Sequence, residues 1–100
     1  MMLTPEELVL HLSFVIRAHR ERKKFSQESF ADAAGVNRNY YGKIERGQQR
    51  GVSMRALQRI AIGLDVPLSL LLSEAEVFDP AVREPPHPPR VGRPPGSKSR

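Results

Sequence analysis

The sequence predicts an all-α fold, a bundle of five short helices followed by a disordered, basic, proline-rich tail. Three observations carry that prediction. Apolar residues from Leu8 to Leu72 recur at helical spacing, not in alternation. Each recurrence is preceded by a residue that caps or opens a helix. Seven of the nine prolines fall after residue 79, where Val82 and Val91 are the only strongly apolar side chains. Such a stretch buries too little to offset the entropy of ordering it. The expected division is therefore a folded domain at residues 1–78 and a tail at residues 79–100.

The first helix opens at Thr4, with Pro5 in its first turn and Glu7 placed for a capping box. Leu8, Leu12, Val15 and Ile16 form one face, continued by His19, so the helix is expected to run to about Lys23. Ser26 caps a second, from Gln27 to Ala34, with Phe30, Ala31 and Ala34 apolar and Gly35 as its stop. Asn37 caps a third, from Arg38 to about Arg46, and Gly47 closes it. Val36 and Tyr41 stand on either side of that cap at the spacing of a hydrophobic staple. Ser53 caps a fourth, whose apolar face is Leu57, Ile60, Ala61 and Leu64. Pro67 is placed in the first turn of a fifth, which carries Leu68, Leu71 and Leu72.

One hundred residues can bury one modest core and leave little room for a deep cleft. The formal net charge of +5 favours an anionic partner. Residues 1–78 hold 11 Lys/Arg against 9 Asp/Glu, and residues 79–100 hold 5 against 2, so most of the excess lies in the tail. The absence of cysteine excludes disulfides, thiolate metal sites and cysteine nucleophiles. His11, His19 and His87 lack metal-ligand spacing, and surface or helix-packing roles are expected for them. No Ser/His/Asp grouping, phosphate-cradling glycine loop or metal cluster is present, so no enzyme, no metal and no cofactor is expected. With no basic leader and no apolar run long enough for a membrane, a soluble cytoplasmic protein is expected.

Two short helices joined at Gly35, the second polar and basic, have the layout of a helix-turn-helix. The sequence resembles the Cro and lambda-repressor type of that motif, the XRE-like family. The resemblance rests on Ile16-Arg17-Ala18-His19-Arg20, Ser26-Gln27-Glu28-Ser29-Phe30-Ala31, Gly35-Val36-Asn37, Lys43-Ile44-Glu45-Arg46-Gly47, Leu57-Gln58-Arg59-Ile60-Ala61 and Leu64-Asp65-Val66-Pro67. It covers about residues 10–72. It implies a five-helix bundle of the lambda-repressor-like type that binds operator DNA, usually as a dimer, with the third helix in the major groove. It also implies a phosphate clamp at Gln27 and a structural ion pair between Arg20 and Glu45.

The residues of the third helix agree. Val36, Tyr41 and Ile44 are expected in the core, and Arg38, Asn39, Gly42 and Lys43 outside. Arg38 can donate to guanine O6 and N7 and Asn39 can pair with adenine, with Lys43 a turn further along as the third base reader. Gly42 is expected to admit the close approach of DNA backbone or of a neighbouring helix. Ser26, Gln27, Asn37, Tyr40, Arg46, Arg50 and Ser53 are the candidate phosphate contacts, which set register. Part of the apolar surface from Val66 to Phe78, with the fourth helix, is expected at a homodimer interface, and a two-fold dimer implies a near-palindromic operator.

In the tail, Gly92-Arg93-Pro94-Pro95-Gly96-Ser97-Lys98 resembles an AT-hook, with Val91 where that element has its first core arginine and Arg90 one place earlier. Arg90, Arg93 and Lys98 are its candidate minor-groove contacts. A flexible basic tail without sequence choice is the other reading. The function expected is a sequence-specific double-stranded DNA-binding transcriptional regulator, with helix 37–46 as its reader. A restriction-modification controller, a phage-type repressor and an antitoxin all fit, and the sequence leaves any small-molecule effector open. The alternative is a protein-interaction module that keeps the fold without specific DNA binding.

Overall fold

The computed structural model describes residues 2–81. Its elements are α1 (Pro5–Arg22), α2 (Gln27–Ala34), α3 (Arg38–Glu45), α4 (Met54–Leu64) and α5 (Leu68–Val77), and no strand occurs among the described residues. Each start has a local cause. Thr4 and Glu7 close the full capping box at α1, with Pro5 in the first turn. Ser26, Asn37 and Ser53 accept from the backbone N–H of Ser29, Tyr40 and Ala56, each at 3.0 Å. Pro67 is the N-cap of α5, not a first-turn residue, and makes no side-chain cap. The expected boundary there shifts by one position.

Four helices end in the same way. A residue with positive φ follows each: Lys24 (66°), Gly35 (74°), Gly47 (71°) and Asp65 (61°). At α2, Val36 N–H donates to Ala31 O at 2.9 Å and Gly35 N–H to Asp32 O at 3.2 Å, a Schellman closure. The same pair of bonds closes α4 at Val66 and Asp65. Glycine adopts this conformation without a Cβ penalty, which is why Gly35 was a legible stop. Phe25, Val36 and Val66 come directly after the left-handed residues and turn inward against the core.

The core joins all five helices. Ile16, Phe30, Tyr41, Ile44, Ile60, Leu64 and Leu71 are its largest fully buried side chains. Burying each aliphatic one is worth about 1.5–3 kcal/mol. α1 packs on α5 and α3, and α2 on α3 and α4. The α2–α4 approach depends on Gly63, where a Cβ would come within 3.0 Å of Phe30 Cζ and 3.2 Å of the Ala34 Cβ. Phe30, locked between Phe25 and Tyr41 at ring distances of 5.5 and 5.3 Å, has little room to give way.

Two histidines tie α1 to α5. His11 Nδ1 donates to the Ala75 carbonyl at 3.3 Å and lies edge-on to Phe78, and His19 Nε2 is 2.8 Å from Glu74 Oε1. Phe78 also stacks on Phe14 at 5.2 Å, so packing continues one residue past α5. On α4 and α5, Ile62 and Val77 remain exposed while Leu70 and Leu72 are half-buried. No described helix is long and apolar enough to cross a membrane. Arg90, Arg93 and Lys98, and with them the expected AT-hook, lie outside the described residues.

Candidate nucleic-acid interface

α3 has two faces with different chemistry. Its inner face carries Tyr41, Ile44 and Glu45, all buried. Glu45 is an anion in the interior, its side chain only 1% exposed, and a buried charge is tolerable only when paired and hydrogen-bonded. Four donors meet that need. Arg20 forks onto it through Nε (2.6 Å) and Nη2 (2.9 Å), Gln27 Nε2 donates at 3.1 Å, and the Tyr41 hydroxyl donates to the second oxygen. Arg20 Nη1 also donates to the Phe25 carbonyl at 2.6 Å. Burial alone would lower the Arg20 pKa, but Glu45 outweighs it and holds the guanidinium above its ordinary value. Burial first, and then Glu45, push the Tyr41 hydroxyl far above the usual tyrosine range, so it stays a donor.

This network fixes the pose of α3 from α1 and α2 at once. The Arg20–Glu45 pair lies where the resemblance places it. Gln27 and Tyr41 enlarge it, and neither partner was read from sequence. Gln27 is turned toward Glu45, with the amide nitrogen already engaged.

The outer face presents Arg38, Asn39 and Lys43, all exposed. Gly42, expected with them, is instead buried, because the Arg46 guanidinium lies over it. An added Cβ there would meet only the far end of that flexible side chain, 2.9 Å from Arg46 Nη1. Among the described residues, the three atoms nearest to such a Cβ all belong to Arg46 and none to a neighbouring helix. Arg46 Nε donates to Gln48 Oε1 at 3.1 Å, and Arg50 is exposed beyond.

Around this face, the remaining candidates do structural work as well. The side chains of Ser26, Asn37 and Ser53 are the N-caps of α2, α3 and α4 and stay at the surface. Each therefore marks a helix terminus with N–H groups toward solvent, a favourable place for an anion. The Tyr40 hydroxyl accepts from Ser53 N–H at 3.2 Å, bracing the α4 start against α3. Arg59 Nη1 donates to the Gly35 carbonyl at 3.0 Å and pins the turn between α2 and α3 from α4. Arg38 is held by α2: Nε and Nη2 donate to the two oxygens of Asp32 at 3.0 and 2.7 Å, and Nη1 is 3.5 Å from Glu28. Among the described residues, no group of three or more His, Asp or Glu side chains could hold a metal ion.

A rigid pair of helices joined by a tight turn, with a polar outer face on the second, defines a DNA-binding regulator of the helix-turn-helix class. The family comparison agrees: the helix-turn-helix model HTH_3 matches residues 16–71, and the chain belongs to that family. The control protein C.MunI of Mycoplasma sp is 42% identical over 60 residues, 60% of this chain and 80% of that protein. The HTH-type transcriptional regulator SutR of Escherichia coli (strain K12) is 32% identical over 80 residues, 80% of this chain but 44% of SutR. Among solved structures, the restriction-modification controller protein C.AhdI from Aeromonas hydrophila superposes with a TM-score of 0.60 at 33% identity, over 63% of this chain and 94% of that one.

Proposed function

We propose that this regulator binds a specific, near-palindromic operator as a homodimer, with α3 in the major groove. The observation that carries the reading is the division of α3 into an inner face locked by Glu45 and an outer face left to Arg38, Asn39 and Lys43. A reader must be rigid to discriminate, and bidentate contacts of arginine to guanine and asparagine to adenine are each worth about 1–3 kcal/mol of discrimination. Ser26, Gln27, Asn37, Tyr40, Arg46, Arg50 and Ser53 are assigned to phosphates around that face. Gln27 takes this role through the part of its amide that Glu45 leaves free.

The dimer is supported by apolar side chains of α4 and α5 that the core does not fully cover, the exposed Ile62 and Val77 and the half-buried Leu70 and Leu72. Uncovered apolar side chains on these two helices suit a two-fold contact between copies. Similarity to the restriction-modification controller protein C.AhdI favours control of a restriction-modification system over the other regulatory roles.

The test is selection of the full-length chain against a pool of random duplexes near physiological salt, followed by sequencing. An inverted repeat with half-sites about 34 Å apart, one helical turn, is expected. A pool that remains random would refute operator recognition. Salt-sensitive retention would then indicate backbone binding alone, and no retention would indicate a protein-interaction module.

A further inference from the structure

The base-reading arginine is not free. It is the first residue of α3, and its guanidinium reaches back across the turn to an aspartate on α2, in a fork of 3.0 and 2.7 Å. We propose that Asp32 is a specificity-determining residue, which orients Arg38 for guanine without touching DNA itself. The inference rests on Arg38 being a base reader, as assigned above.

The chemistry follows from counting donors. A guanidinium has five N–H groups in a fixed plane. Asp32 takes Nε–H and one hydrogen of Nη2, and the opposite edge keeps one parallel N–H on each of Nη1 and Nη2. That edge matches the adjacent acceptors O6 and N7 of guanine. An unbraced arginine on an exposed helix turn samples many rotamers and can reach phosphates, which carry no sequence information. Bracing removes that freedom before DNA arrives, so the remaining edge is committed to a planar, two-acceptor partner.

The arrangement runs against simple electrostatics. A carboxylate beside a DNA-binding face repels phosphates, and a chain selected only for affinity would omit it. Glu28 adds a second negative charge near Arg38, but with a single 3.5 Å approach to Nη1 and no fork. The two acids therefore separate charge from orientation. Both are exposed, so replacing either leaves the core intact. The strength of the fork also shows in Asp32 itself, whose carboxyl the Arg38 hydrogen bond holds below its ordinary value.

The experiment measures binding of the full chain to the duplex recovered by the random-pool selection, and to copies in which single guanines are replaced by 7-deazaguanine, which lacks the N7 acceptor. Wild type is expected to lose about tenfold at one guanine per half-site. Arg38→Ala abolishes that loss. Asp32→Ala binds every duplex more tightly, yet its penalty at that guanine shrinks severalfold. Glu28→Ala also binds every duplex more tightly but keeps the penalty undiminished. If Asp32→Ala behaves as Glu28→Ala does, Asp32 is only a surface charge and the proposal is wrong while the base-reading role stands. If Arg38→Ala keeps the guanine penalty, or the pool yields no preferred duplex, the base-reading role fails and the proposal with it.

Discussion

The two faces of α3 share eight residues and almost nothing else. The inner face is a closed system: a buried carboxylate, a buried guanidinium and a buried phenol satisfy one another. The outer face is open, with a polar side chain at each exposed position, and among the described residues Arg38 is the one proposed reader held by a side-chain hydrogen bond. The difference teaches where each kind of energy is spent. Polar groups inside decide whether α3 has one pose. Polar groups outside are left to meet a partner, and their removal hardly touches the fold.

The sharpest way to break this division is at Glu45. Glu45→Ala leaves Arg20 buried without its partner, and loss of one member of a buried pair costs about 3–5 kcal/mol. A large drop in melting temperature is expected, with DNA binding lost as a consequence. If the variant melted like wild type, the inner face would not be what holds α3.

Next in size is the contact that sets α2 against α4. Gly63→Val pushes two methyl groups toward Phe30 and Ala34, and overpacking of this kind costs about 1–3 kcal/mol. Denaturant unfolding reads it directly. A variant as stable as wild type would mean that the α2–α4 approach tolerates more room than Gly63 implies.

A smaller effect reads the burial of the Tyr41 phenol. The folded chain keeps the Tyr41 proton where the unfolded chain, with a pKa of about 10, releases it, so stability falls as pH rises past that value. Each pH unit above it removes about 1.4 kcal/mol. Between pH 9 and 11 wild type is expected to lose about 1.4 kcal/mol more stability than Tyr41→Phe, nearly all of it above pH 10. Equal slopes would mean that the Tyr41 hydroxyl titrates normally and is not sealed inside.

Much of this architecture was legible because helix ends are local. Thr4, Ser26, Asn37 and Ser53 each sit next to the N–H groups they cap, and Gly35 and Gly47 sit where a left-handed residue is required. Lys24 and Asp65 take the same conformation, but their residue types do not announce it. The core face of α3 was legible from the staple spacing of Val36 and Tyr41, both buried.

The candidate site was legible as residue types on a face, not as a set of partners. Asp32 and Arg38 are six positions apart across a turn, Gln27 and Glu45 eighteen, and Arg59 and Gly35 twenty-four. Periodicity within one helix carries no signal for such pairs. Gly42 was misplaced for a related reason: its lack of a side chain suggested the close approach of DNA backbone or of a neighbouring helix, and the room is taken by Arg46, one turn along the same helix. Likewise, surface or helix-packing roles were expected for His11 and His19, but only the docking of α1 on α5 shows what they pack on.

The central claim, that the outer face of α3 reads DNA independently of the fold, is tested most directly with the double variant Arg38→Ala/Asn39→Ala. Its thermal melt and its affinities for the selected duplex and a scrambled one would be measured side by side with wild type. The expected result is a melt within about 0.5 kcal/mol of wild type, as for other surface substitutions, together with nearly equal affinity for the two duplexes. A variant that melts normally and still prefers the selected duplex as strongly as wild type would place sequence recognition elsewhere on the molecule.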